Sequence, residues 1–187
     1  VTAFDLDTDQ SVTFDAAACR FAYRDSLFKS EQGRFVITEV RFVLPLTRRP
    51  VLGYAGLTDL PEDATPDMVM TRVVALRRSK LPDWRVTGNA GSYFKNPVVK
   101  LSDARTFAGL PQHPTSDGIK LSAAALLEAC GMKGRHRGGA AFSPDHALIM
   151  INRGSATFDD VVALTQDAVH AVRTKFGVTL EQEPMIY

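Results

Sequence analysis

The stretch Gly88-Asn89-Ala90-Gly91-Ser92-Tyr93-Phe94-Lys95-Asn96-Pro97 sets a hydroxyl, a cation and an amide close together, at Ser92, Lys95 and Asn96. Its glycines and Asn89 favour a tight bend with unusual dihedrals, which lets backbone approach a ligand closely. An ordinary structural turn uses the same residues and, by residue type alone, is the favoured reading. Upstream, Arg77, Arg78 and Lys80 gather where a helix would end. Cations there complement the helix dipole, and they equally suit an anion clamp for a phosphate or diphosphate, which Arg85 would extend. The segment Gly134 to Ala141, GRHRGGAA, reads as the loop after a helix end, with a backbone phosphate nest as the alternative. Tyr23-Arg24-Asp25-Ser26 is either a salt-bridged connection between strands or an aromatic platform for a ring. In the tail, Glu181 and Glu183 fall on one side of a strand, and either becomes a candidate acid only if it faces an enclosed pocket. His113, His136, His146 and His170 show no zinc-type spacing, so no metal is assigned. No G-x-G-x-x-G occurs, so the chain has no dinucleotide fingerprint of its own.

The elements that would position these groups follow from periodicity. Val1 to Asp7 and Ser11 to Phe14 alternate about Asp9-Gln10 and predict a hairpin, and Arg34 to Leu46 is a long β-rich run. Thr65-Pro66-Asp67 is a helix start, with Val69, Val73 and Leu76 as its apolar stripe and Leu81-Pro82 as its stop. A second helix is expected within Ile119 to Cys130, with Ile119, Ala123, Leu126, Leu127 and Cys130 on one face, which makes Cys130 a core residue. Ala147 to Ile151 reads as a buried strand. Thr157 and Asp160 open a third helix that carries Val161, Leu164, Ala168 and Val172 and closes at Gly177, and Val178 to Leu180 reads as a short strand. Mixed elements without βαβ repetition predict an α+β domain over about residues 50 to 187.

With 45% hydrophobic and 23% charged residues, the composition is that of a globular protein, and 22 basic against 21 acidic residues leave a net charge of +1. No global field would recruit nucleic acid or a membrane surface, so any anion site must be local. Cys19 and Cys130 form neither a metal spacing nor a disulfide framework, which fits a reducing cytoplasm. The first residue is Val1, already inside an alternating strand, which suggests a chain that starts within a longer protein.

In this order and spacing, CRFAYRDSLFK, KLPDW, GNAGSYFKNPVV, DGIKLSAAALLEACGMKG, GGAAFSPDHALIMIN and TLEQE resemble the UDP-N-acetylenolpyruvoylglucosamine reductase family over nearly the whole chain. The resemblance implies an FAD-dependent oxidoreductase of peptidoglycan synthesis, in which NADPH reduces enzyme-bound FAD and the flavin reduces an enolpyruvyl UDP-sugar to UDP-N-acetylmuramate. It implies that residues 1–48 are the C-terminal portion of an FAD-binding domain, the end of its sheet, and that 49–187 are an α+β substrate-binding domain with a C-terminal tail. The family's N-terminal region, with most of the FAD site and a catalytic arginine, has no counterpart here, so this piece alone is expected to catalyse nothing. Ser92 matches the family's serine proton donor and Glu183 its catalytic glutamate, which like-charge proximity to the substrate carboxylate would keep protonated. Tyr23 matches a substrate-contacting tyrosine, Lys80 and Asn96 match diphosphate-binding positions, and Arg77 is added as a neighbouring cation. This chain departs from the family pattern at Gln182, Pro184-Met185, His146 and His113, the last two bearing on the uracil contacts. The competing expectation is a non-catalytic nucleotide-sugar-binding module built on Lys80, Arg77 and Asn96. A nucleic-acid binder built on GRHRGG is opposed by the near-zero net charge and the lack of interleaved aromatics.

Overall fold

The computed structural model describes residues 1–46 and 49–185, and the chain divides into two compact units, Val1–Arg49 and Pro50–Tyr187. The domain boundary expected after residue 48 falls on Arg48, outside the described residues.

In the first unit β1 (Thr2–Asp5) pairs antiparallel with β2 (Gln10–Thr13) and β3 (Phe35–Glu39), in the order β2-β1-β3. The expected hairpin is present, and Asp9 closes it at φ +56°, a conformation that aspartate tolerates better than most residues. Asp5 is buried, and Arg34 holds its carboxylate with two bonds, Nε to Oδ1 at 3.2 Å and Nη2 to Oδ2 at 2.9 Å. That fork, and the Asp7 amide, hold the Asp5 carboxyl below the usual carboxylate range. Phe14, Phe28 and Phe35 meet edge to face at 5.3 to 5.8 Å, with Phe28 carried on the short helix α1 (Leu27–Ser30). The long run expected over 34–46 ends as a strand at Glu39. Residues 40–46 are β-rich in type, yet no described strand pairs with them, and side-chain preference without a ladder does not make a strand.

The second unit mixes helices with antiparallel strands. Two helices and the strands they cover form its core: α3 (Ala123–Ala129), α4 (Phe158–Phe176) and a sheet in the order β4 (Asn89–Ser92), β10 (Ile149–Asn152), β9 (Ala140–Phe142), β8 (His136–Arg137). Leu164, Ala168 and Val172 of α4 are fully buried with Phe94, Phe142, Leu126 and Leu127. A second sheet, β5 (Val98–Val99), β7 (Gly118–Leu121) and β6 (Gln112–Thr115), lies ahead of α3 in the chain. Two sequence expectations are corrected here. Ile119 sits on β7, where Ile119 and Leu121 are buried and Lys120 between them is not, and the helix begins only after Ser122, whose hydroxyl accepts the Ala125 amide at 3.2 Å. Cys130 is therefore at the helix end, partly buried against the core rather than inside it.

GRHRGGAA is a hairpin, β8 to β9, rather than a loop. The backbone donor at its turn is already occupied by the chain's own anion. The Asp160 carboxylate accepts the Gly139 amide at 3.1 Å, and a Cβ at Gly138 would lie 2.2 Å from that carboxylate. The same Asp160 closes the capping box of α4, taking the Thr157 amide at 3.0 Å while Thr157 Oγ1 accepts the Asp160 amide at 3.2 Å.

Val178 to Leu180 forms no strand, although Val178 and Leu180 are buried. Pairing begins one residue later. The Lys95 amide donates to the Glu181 carbonyl and the Glu183 amide to the Tyr93 carbonyl, each at 2.8 Å, so the tail adds itself beside the segment that continues β4.

Candidate functional site

Ser92 owes its position to a bulge. On β10, Ile149 pairs with Ser92 and Ile151 with Asn89, so one more residue lies between the pairs on β4 than on β10. Gly91 absorbs the excess at φ +64°, which L side chains rarely adopt, and Asn89 Oδ1 accepts the Gly91 amide at 3.1 Å. The Asn89 amide group ties the bend to the preceding chain through the Thr87 carbonyl at 3.1 Å and the Pro82 carbonyl at 3.3 Å. A bulge at a sheet edge re-aims the side chain beside it, and Ser92 is left exposed.

The hydroxyl opens on a cleft of about 440 Å³ within the second unit. Its apolar lining comes from Leu57, Val73, Leu76, Leu81 and Ile149, and its polar groups are Tyr54, Arg77, Lys80, Ser92 and His146. One wall is helix α2 (Pro66–Lys80), capped by Thr65, whose side chain accepts the Met68 amide, and ending at Leu81 as its sequence implies. Arg77 and Lys80 are three apart on α2 and so share a face. Among the described residues neither has a carboxylate partner, and Lys80 Nζ stands 5.9 Å from the centre of the Tyr54 ring. Two cations without counter-ions beside an exposed hydroxyl make a cleft suited to an anionic ligand.

The other expected site residues are placed differently. Asn96 does not line the cleft: its Oδ1 accepts the Ala123 amide at 2.9 Å and so fixes the start of α3. Lys95 is paired with Glu181. Arg85 stacks on Trp84 at 4.7 Å and pairs with Asp83, so it does not extend the cleft's basic wall. Glu183 is half-buried, and its backbone is bonded to the residue that follows Ser92, while its side chain is not part of the cleft lining. Tyr23 belongs to the first unit, half exposed in a tight turn where Ala22 and Asp25 bridge and the Arg24 guanidinium lies 5.5 Å from its ring. His113 is exposed on β6, away from the cleft lining. Among the described residues no cluster of His, Cys, Asp and Glu could hold a metal ion, and no helix is long and apolar enough to cross a membrane.

Two cleft residues were not among the expected site residues. Tyr54 lies in an irregular stretch whose only signal is an aromatic between two glycines. His146 stood out only as a departure from a pattern, and the structure puts it in one cleft with Ser92.

The family model for UDP-N-acetylenolpyruvoylglucosamine reductase, C-terminal domain, matches residues 82–187. The chain is 48% identical over 199 residues to the UDP-N-acetylenolpyruvoylglucosamine reductase of Burkholderia multivorans, covering 99% of this chain and 57% of that protein. With the namesake protein of Burkholderia vietnamiensis the figures are 48% over 199 residues, 98% and 56%. The chain thus spans a little over half the length of the curated relatives it matches. The crystal structure of UDP-N-acetylenolpyruvylglucosamine reductase from Thermus caldophilus aligns with a TM-score of 0.60 at 21% identity, covering 100% of this chain and 51% of that one, which is a likeness of fold. With more than half of its residues matched by the family model, the chain belongs to the UDP-N-acetylenolpyruvoylglucosamine reductase family and carries its C-terminal domain.

Proposed function

We propose that the intact protein is an NADPH- and FAD-dependent reductase that converts UDP-N-acetylglucosamine enolpyruvate to UDP-N-acetylmuramate in the cytoplasm, for peptidoglycan. In this reading residues 1–48 close an FAD-binding domain and 49–187 bind the nucleotide sugar. The first unit does not by itself fit a flavin dinucleotide. It has one glycine, Gly33, and its helix α1 is four residues long, so it offers no glycine-rich turn onto a helix N-terminus to receive a diphosphate. FAD is therefore assigned to the intact protein, where it would supply the hydride.

What this chain's own residues do is bind and protonate. Reducing the enolpyruvyl double bond adds hydride to its terminal carbon and a proton to the carbon beside the carboxylate. Ser92 Oγ is the proposed donor of that proton. A hydroxyl is a weak acid in water, but held at hydrogen-bond distance from an enolate-like carbon in a shaped site it can protonate a strong base. Arg77 and Lys80 neutralise the ligand's phosphates. Asn96 is the further proposed donor to them through its NH2 group, although its side chain does not line the cleft and its Oδ1 accepts the Ala123 amide. Glu183 and Tyr23 are the proposed contacts to the substrate carboxylate and to the sugar nucleotide.

The observation that carries this reading is Ser92 exposed at the bulge, on a cleft whose two cations have no carboxylate partner among the described residues. In the intact protein, Ser92→Ala should leave reduction of the flavin by NADPH unchanged and slow its reoxidation by the enolpyruvyl substrate by orders of magnitude, read in rapid-mixing absorbance. Reoxidation near the wild-type rate would overturn it. A colourless intact protein that still binds UDP-sugars would instead identify a binding module without redox chemistry.

A further inference from the structure

Lys95 stands in the same short motif as Ser92, yet it does not line the cleft. Its partner lies 86 residues further along the chain, where Lys95 Nζ pairs with Glu181 Oε1. The two backbones meet in one antiparallel bridge, Phe94 with Gln182, closed by the Lys95 amide on the Glu181 carbonyl and the Glu183 amide on the Tyr93 carbonyl. In that register Lys95 faces Glu181 and Tyr93 faces Glu183. The ion pair is therefore a cross-strand pair, two residues before Glu183 in the tail.

Little else aligns this part of the tail. Leu180 is buried, but among the described residues no strand forms beyond it. A segment aligned by two backbone bonds opens locally at small cost, so a charge pair weighs heavily in its docked population. The Lys95 side chain is 22% exposed and that of Glu181 70%, which makes the lysine the fixed member and the tail the part that docks on it.

We propose that Lys95 is a positioning residue for the protonation step: by pairing with Glu181 it latches the tail beside the segment that follows Ser92, and so sets where Glu183 stands. The inference rests on the proposed roles of Ser92 and Glu183. A cation paired in this way does not serve the ligand's phosphates, which leaves Arg77 and Lys80 as the charged groups of the cleft.

The test uses the intact protein. Lys95→Glu sets two carboxylates face to face, and combining it with Glu181→Lys restores an opposite pair with its ends exchanged. Hydrogen exchange at the Glu183 amide should quicken roughly tenfold in the single variant, while the Tyr93 amide, bonded to the Leu148 carbonyl, keeps its rate. Reduction of the flavin by NADPH should be unchanged, and its reoxidation by the enolpyruvyl substrate should slow roughly tenfold. The double variant should regain most of both losses. Lys95→Met, which removes the charge without adding one, should show the same two effects at roughly threefold. Faster exchange at Glu183 with wild-type reoxidation would reveal a merely structural pair and overturn the proposal. An unchanged exchange rate, or a double variant no better than Lys95→Glu, would overturn it as well. Wild-type reoxidation in Glu183→Gln would remove the role of Glu183 and the positioning role with it, whereas Ser92→Ala tests the cleft reading separately.

Discussion

Helices α2 and α4 both open on a threonine cap, and there the similarity ends. Thr65 makes a single 3.4 Å bond to the Met68 amide, whereas Thr157 and Asp160 close a reciprocal box. The α4 helix buries Leu164, Ala168 and Val172 completely and terminates at Gly177 in the left-handed conformation. No residue of α2 is buried. It is held to the loop before it by Arg72, which donates to the Gly56 carbonyl at 2.8 Å and pairs with Asp59, and by Leu76, whose methyls would lie 3.0 Å from a Cβ at Gly56. The helix that builds the core carries no group of the cleft. The helix that carries the cleft's cations is marginal to the core. In the proposed reading stability and ligand binding thus fall to different helices, and elements with little buried surface are where local opening costs least.

The contrast breaks most readily at Leu164. Its truncation to alanine should cost about 3 kcal/mol of unfolding free energy, because a fully buried side chain leaves a cavity with no room to collapse. Leu76→Ala, on a half-buried position, should cost about 1 kcal/mol, since its surroundings can relax into water. Urea titrations of the two variants check this, and equal losses would show that α2 belongs to the core after all.

The next effect is tied to pH. The Thr157 and Gly139 amides hold the Asp160 carboxyl below its ordinary value of 3.8. The folded state therefore releases this proton more readily than the unfolded chain. Its contribution is complete above the ordinary value and is lost as pH falls through the lower folded one. Asp160→Asn should lower the urea midpoint near neutral pH, and the gap to wild type should narrow as the pH is lowered from about 6 toward about 2. A gap that stays constant would mean that the hairpin turn and the helix start do not depend on that charge.

This division was only partly legible in the sequence. The ends of α4 were, because Thr157, Asp160 and Gly177 are residues whose types act locally, and its apolar positions repeat over many turns. Strand β7 was not. Over its four residues the alternation at Ile119 and Leu121 is too short to outweigh the helical spacing that Ile119 shares with Ala123 and Leu126. The glycines around Ser92 announced a bend, but the bulge exists only relative to β10, a strand more than fifty residues away. The cleft was least legible, since Tyr54 and His146 come from irregular segments whose placement depends on closure by backbone bonds rather than on any period.

The smallest expected effect on folding sharpens the comparison most. Arg77 has no carboxylate partner among the described residues, and Lys80 has only the edge of a contact with the Tyr54 ring. Removing either charge by substitution to alanine should change unfolding free energy by no more than about 0.5 kcal/mol, the range of surface positions without a specific role. Each variant should nevertheless weaken UDP binding by about tenfold or more, the worth of a charge-assisted bond to a phosphate. A helix-end cation kept only for the dipole would cost a similar few tenths of a kcal/mol in stability but nothing in affinity. Measuring both quantities on Arg77→Ala and Lys80→Ala therefore decides whether the basic end of α2 serves the helix or the ligand.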